Sequence, residues 1–153
     1  MKKIATILTA IVMLFATSSF ASDGDNVTAL VKTAFQHDFS GASQVDWEKT
    51  SDYYVASFNF NNTKVSAAYN EDGELVGTSR KIASAQMPLS ILLELGKKYE
   101  DYFISENAFE VTNEGQTSYY INVDNGKQVL QLKCYSSGEV DVIKKTKKQV
   151  VEG

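Results

Sequence analysis

Apolar positions fall in two rhythms along this chain, and the pair of rhythms comes round twice. From Val27, apolar side chains recur at Leu30, Val31, Ala34, Phe35 and Phe39, at spacings of three and four. That is one stripe on a helix of about three to four turns, which Asp25 or Asn26 can cap and "SGAS" ends. The period then changes to two. "QVDWEK" sets Val45 and Trp47 against Asp46 and Glu48, and "YYVASFNF" is aromatic and β-branched. "NNT" separates it from "KVSAAY", and the turn "NEDG", whose Gly73 is free to take positive φ, leads into "ELVGTSRKI".

The helical rhythm returns after "ASAQM". Pro88 suits the first turn of a second helix, with a stripe of Leu89, Leu92, Leu95, Tyr99, Tyr102 and Phe103. Gly96 interrupts it at about 1 kcal/mol relative to alanine and is expected to allow close packing on a sheet. Then come "NAFEVT", "SYYINV", "KQVLQLKCY" and "EVDVIKK", the later ones joined by the hairpin turns "DNG" and "SSG".

The two halves correspond in order and spacing. Phe35, Phe39, Val45 and Trp47 match Tyr99, Phe103, Phe109 and Val111 at a shift of 64; Tyr53-Tyr54 match Tyr119-Tyr120 at 66; Gly73-Glu74 match Gly138-Glu139 at 65. The expectation is an α+β fold made by tandem duplication of a helix plus a four-stranded antiparallel meander. Repeat one covers about 25–83 and repeat two about 84–147. One helix covers one face of four strands, and a unit of that length buries too little to be comfortable alone. The halves are therefore expected to pool their strands in a shared sheet of about eight, with both helices on one face.

Bulk properties narrow the setting. "MKK", an apolar run, and small residues Ser19 and Ala21 read as a bacterial secretory signal peptide over residues 1–21, the alternative being a membrane anchor. The remaining domain, 22–153, loses Lys2 and Lys3 with the signal, so the formal charge moves from −4 to −6. An acidic domain without a basic stripe argues against nucleic acid, and no stable membrane insertion is expected after cleavage. The cluster Lys144, Lys145, Lys147 and Lys148 reads as a solvated C-terminal face, the alternative being contact with anionic lipid or a partner.

Candidate chemistry is sparse. Cys134 is the only cysteine, so no intrachain disulfide forms, and the alternation of "VLQLKCY" puts it with Leu130 and Leu132 as a small buried hydrophobe. His37 is the only histidine and falls off its helix stripe. Neither a nucleophile–base pair nor a zinc ligand set can be assembled from them. "NEDGE" places carboxylates at alternate positions, yet a calcium loop counted from Asn70 reaches Lys81 where it needs Glu. No catalytic residue, cofactor or metal is expected.

The "F-x(9)-V-x-W" element at Phe35, Val45 and Trp47, the "YYVASF" strand, the "YNEDGELV" turn and strand, and Met87, Pro88, Ile91 and Tyr99 carry a resemblance. Together with the leader they resemble the PepSY-like family of bacterial exported proteins, similar in fold to the β-lactamase inhibitory proteins. The resemblance covers nearly all of the mature chain. It implies a helix-plus-sheet fold and a periplasmic or secreted protein that binds rather than reacts. One departure is that the inhibitors contain disulfides and this chain cannot.

What remains is a surplus of tyrosine. Neighbours on a strand face opposite ways, so one of each pair Tyr53-Tyr54 and Tyr119-Tyr120 turns from the helices. Tyr53 and Tyr120, with Lys133 and Tyr135, are the expected partner-binding residues on an open sheet face. The expected function is non-catalytic binding of an exported protein or peptide, possible inhibition of an envelope or secreted hydrolase included. The alternative is an envelope stress or structural protein holding peptides at a sheet edge.

Overall fold

The computed structural model describes residues 24–149, and the expected signal peptide lies outside them. The fold is α+β, with two α-helices and a nine-stranded antiparallel sheet. The helices are α1 (Ala29–Asp38) and α2 (Leu89–Lys98). The strands are β1 (Ser43–Lys49), β2 (Tyr54–Phe60), β3 (Thr63–Tyr69), β4 (Leu75–Ala83), β5 (Phe103–Ile104), β6 (Asn107–Asn113), β7 (Gln116–Asp124), β8 (Gln128–Tyr135) and β9 (Val140–Lys147). Their order is β1-β2-β3-β4-β6-β7-β8-β9, with β5 paired to β7. The chain divides into two compact units, the first running to Arg80 with Thr112–Gly115 added, the second taking Lys81–Val111 and Gln116 onward.

Unit 1 carries α1 and β1–β3. Thr28 caps α1, its hydroxyl accepting from the Val31 N–H at 3.3 Å. Asp25 and Asn26, the expected caps, belong instead to a single 3-10 turn, Gly24–Asn26. Thr28 wins because its extended backbone (φ −64°, ψ 152°) aims its oxygen at the N3 amide. The buried stripe is Val27, Val31 and Phe35; Leu30, expected on it, is 58 % exposed. Phe35 meets Trp47 and Phe58 edge-on at centroid distances of 5.2 and 4.9 Å, and Tyr54, Ala56, Ala67 and Tyr69 complete the core. Edge-to-face geometry adds roughly 0.5–1.5 kcal/mol per pair to the area buried. The Tyr69 hydroxyl donates to Asp38 at 2.9 Å, tying β3 to the end of α1.

Unit 2 carries α2, β5 and β7–β9. Pro88 is the N-cap of α2 rather than its first helical residue. The buried row is Met87, Ile91 and Leu95, whereas Leu89 and Phe103 are 69 % and 68 % exposed. "LSILLEL" contains more than one apolar stripe, and the row with i, i+4 spacing that starts from buried Met87 is the one used. Ile91 and Leu95 pack on Tyr119, Ile121, Val123, Leu130, Leu132 and Cys134. Gly96 is exposed and a Cβ there would meet nothing within 4 Å, so it serves no close packing.

The correspondence between units is closer than the sequence shifts imply. Both helices have 10 residues and end on an aromatic C-cap, Phe39 (φ −129°, ψ 56°) and Tyr99 (φ −123°, ψ 38°), each donating its N–H four residues back. The helices correspond at a shift of 60, pairing buried Val31 with Ile91 and Phe35 with Leu95, not at the expected 64. The later strands correspond at 65, pairing core residues Tyr54 with Tyr119, Ala56 with Ile121 and Tyr69 with Cys134. Four of the five residues fall in the longer passage after α2, where the chain adds β5, which pairs Phe103 with Asp124 and Ile104 with Val123. That strand is why there are nine rather than about eight.

The twin glycines do the same job. Gly73 has φ +76°, and a Cβ on it would stand 3.2 Å from Leu30 Cγ, in the first turn of α1. Gly138 has φ +96°, and a Cβ there would stand 3.4 Å from the Ser90 carbonyl oxygen, in the first turn of α2. Each hairpin thus closes against the start of its own helix, and the Ser90 hydroxyl donates to the Ser136 carbonyl at 3.0 Å.

Candidate binding face

Strand alternation in unit 2 divides β7–β9 into two sides. Tyr119, Ile121, Leu130, Leu132 and Cys134 face α2. Registers align the other side in rows: Ser118 with Tyr135; Tyr120 with Lys133 and Asp141; Asn122 with Gln131 and Lys144. Three of the four expected binding residues, Tyr120, Lys133 and Tyr135, therefore come together with Asp141.

Their interactions interlock. The Lys133 Nζ lies over the Tyr135 ring, 4.8 Å from its centroid. The Tyr135 hydroxyl donates to Asp141 Oδ2 at 3.2 Å. Asp141 is thus engaged by the tyrosine rather than by the lysine beside it in register. Among the described residues no carboxylate forms an ion pair with Lys133. A cation over an aromatic face is held by the ring quadrupole and keeps its ammonium hydrogens for a ligand. Burial, then the Asp141 hydrogen bond, raise the Tyr135 pKa.

Tyr120 departs from the expectation of an exposed ring. It is turned from α2 but is only 3 % exposed, and burial followed by the neighbouring Tyr135 pushes its pKa up, so it stays a neutral hydroxyl. Alternation reports which way a side chain points and not what lies over it. Tyr53 belongs to unit 1 and lies just before β2, in a turn where its N–H donates to Thr50 Oγ1 at 3.0 Å. It is half-buried, with its pKa raised by burial and by Asp52 and Glu114.

Sequence reasoning missed Asp141. The signal was present: closing "CYSSGEV" as a hairpin that pairs Cys134 with Val140 puts Lys133 opposite Asp141. The corresponding row of unit 1 is Val55, Ala68 and Gly77, with Val55 and Ala68 at 4 % and 1 % exposure. At the shift of 65, Val55 and Ala68 stand where unit 2 has Tyr120 and Lys133, whereas Gly77 and Asp141 do not correspond, because the bulge lies at Ala68/Tyr69 in unit 1 and at Gln131/Leu132 in unit 2.

The remaining candidates fall into structural roles. Cys134 is fully buried in the core, which pushes its thiol pKa up to about 11. The His37 side chain is 86 % exposed and contacts only Asp38 at 3.1 Å. "NEDGE" is a turn, with Asn70 Oδ1 accepting from the N–H groups of Asp72 and Glu74 at 3.0 and 2.9 Å. Among the described residues no cluster of three or more His, Cys, Asp or Glu could hold a metal ion, and no helix is long and apolar enough to cross a membrane.

No protein-family model matches the chain, and no curated protein matches it. Solved structures do. A DUF2874 family protein from Bacteroides uniformis superposes with a TM-score of 0.69 at 19 % identity, over 79 % of this chain and 89 % of that one. A BLIP-like protein from Bacteroides fragilis gives 0.65 at 16 % identity, over 89 % and 94 %. A protein from Bacteroides eggerthii, described provisionally as periplasmic, gives 0.68 at 21 % identity, over 79 % and 88 %. At these identities the likeness establishes a BLIP-like fold.

Proposed function

We propose that the protein is a non-catalytic exported binding protein, working in the periplasm or outside the cell, whose β7–β9 face engages another exported protein. The observation that carries this is the contrast between equivalent rows. Unit 1 places Val55 and Ala68 where unit 2 carries Tyr120 and Lys133, positions that small side chains can fill, and unit 2 sets Asp141 beside them. Tyrosine and a ring-held lysine offer contact area and charge at low entropic cost. The leader-like N-terminus, the BLIP-like neighbour and the neighbour described as periplasmic support the setting. We further read the units as a tandem duplication of PepSY-like type, on the matched helix ends and glycine turns. Hydrolase inhibition is the finer form of this reading, drawn from the likeness to the BLIP-like protein.

Edge binding of peptides is the weaker reading. The registers of β1 and β9 are each interrupted by a bulge, between Ser43 and Asp46 and opposite Gln131/Leu132, and β9 carries lysines. Both are devices that blunt a sheet edge.

A photo-crosslinking amino acid at position 135, introduced in the exporting cell, tests the proposal. The expected result is one dominant protein adduct, lost with Lys133→Glu and absent when the crosslinker is at exposed Leu89. Equal labelling from both positions, or indifference to Lys133→Glu, would refute it. Tyr53 is tested in the same way at position 53, where an adduct would place unit 1 in the same recognition event.

A further inference from the structure

A separate feature lies in unit 1, between α1 and β1. A surface groove of about 460 Å³ is walled by Phe35, Phe39, Val45 and Trp47, with Lys32 and Gln36 along the helix side. Its volume is within the range of small-molecule clefts, roughly 300–1,000 Å³. Phe35 and Trp47 are 5 % and 8 % exposed, while Phe39 and Val45 are half-buried. Lys32 is exposed, one helical turn before Gln36, and forms no ion pair among the described residues. An apolar floor with a single uncompensated ammonium at its rim is complementary to an apolar body carrying one negative charge.

We infer that this groove binds a small amphipathic carboxylate, its chain lying along Phe39, Val45 and Trp47 and its carboxylate meeting Lys32. The amide of Gln36 stands on the same rim, one turn further along α1, as a second donor. The charge selects the class: a cationic amphiphile would set like charges together at the rim, and a neutral one would leave Lys32 without its partner.

Trp47 is the only tryptophan of the chain, so its fluorescence reports on the groove wall directly. Titration of the protein with monomeric decanoate is expected to change Trp47 emission saturably, and decylammonium at the same concentrations is expected to do so at least tenfold more weakly. Lys32→Glu, at an exposed position, should raise the decanoate Kd at least tenfold and reverse the preference. Val45→Gln, read by isothermal titration with a circular-dichroism check of folding, takes the apolar wall from the ligand's chain without adding charge and should abolish binding. Equal affinity for the two amphiphiles, or a decanoate Kd unmoved by Lys32→Glu, would overturn the assignment and leave a plain crease between helix and strand. Neither result bears on the β7–β9 face, which belongs to the other unit.

Discussion

Each unit sets one ten-residue helix against antiparallel strands, and the two fill that arrangement differently. In unit 1 the helix meets the strands through rings, with Phe35 touching Trp47, Phe58 and Phe39 at centroid distances of 5.2, 4.9 and 5.6 Å. In unit 2 the corresponding residue is Leu95, and the strands answer with Ile121, Val123, Leu130 and Leu132. On the side turned from the helix the contrast reverses. Unit 1 is small and plain, with a Ser57–Ser66 hydroxyl contact of 2.9 Å and buried Ala68, whereas unit 2 carries tyrosines and a lysine. Helix length, C-cap geometry and glycine turn are shared, so these belong to the fold. What differs at equivalent positions is free to serve function.

The largest effects should come from the cores. Phe35→Ala removes a ring with four aromatic partners, Phe39, Trp47, Phe58 and Tyr69, and is expected to cost about 4 kcal/mol, while Leu95→Ala should cost about 3 kcal/mol, by denaturant unfolding. If the leucine proves the costlier of the two, the aromatic cluster is looser than its ring geometry implies, and unit 1 is not the more tightly specified half.

Next come the turns. Gly138→Ala forces a side chain to φ +96° and towards the backbone oxygen of Ser90, and should cost about 2 kcal/mol. Gly73→Ala meets the exposed and movable Leu30 side chain instead, and should cost about 1 kcal/mol. Equal costs would mean that backbone conformation alone, and not the approach to the helix, fixes glycine at both turns.

Alkaline pH separates the units by chemistry. Burial raises the Cys134 pKa from 9.0 to about 11. A pKa raised on folding gives stability that is intact below the unfolded value and lost as pH climbs through the folded one. Unit 2 should therefore lose stability between about pH 9 and 11, on the order of 1–2 kcal/mol once solvent screening is allowed for. The matching residue of unit 1 is Tyr69, whose pKa is also raised, by burial and then by the hydrogen bond to Asp38, so its loss begins at the ordinary tyrosine value of about 10 and continues above it. Cys134→Ala should flatten the earlier segment of a pH–stability profile and leave the later one; an unchanged profile would remove the thiol from the account.

The pattern of positions was readable because periodicity depends on local geometry. β8 keeps its two-residue rhythm, and Leu130, Leu132 and Cys134 share the buried side that alternation assigns them, whereas β2, β3 and β7 are buried on both sides over runs of three or four residues. Where more than one arrangement satisfied the same rhythm, tertiary contact decided. The crowded "LSILLEL" stretch allowed two stripes, and only packing selected the row through Ile91. β5 left no signal because two residues show no period, and the passage that holds it supplies four of the five residues by which the repeat shifts from 60 to 65. For the candidate face, alternation oriented Tyr120, Lys133 and Tyr135, but the cover over Tyr120 and the pairing with Asp141 depend on neighbouring strands.

The smallest stability effect is the most discriminating. Lys133 is half-buried and lies over the Tyr135 ring at 4.8 Å, a partly solvated cation–π pair of about 0.5–1 kcal/mol. Its counterpart in unit 1 is Ala68, which shows that alanine is an acceptable residue at this backbone position. Lys133→Ala should therefore lower unfolding free energy by no more than about 1 kcal/mol while removing the position-135 crosslink. Tyr120 cannot be probed by alanine, because truncating a ring that is 3 % exposed leaves a cavity. Tyr120→Phe keeps the ring and deletes only the hydroxyl, so lost crosslinking there with an unchanged unfolding midpoint would assign the hydroxyl to recognition. A Lys133→Ala variant that unfolds easily would instead make the lysine part of the framework, and the contrast between the two rows would then reflect how each unit is built and not what unit 2 binds.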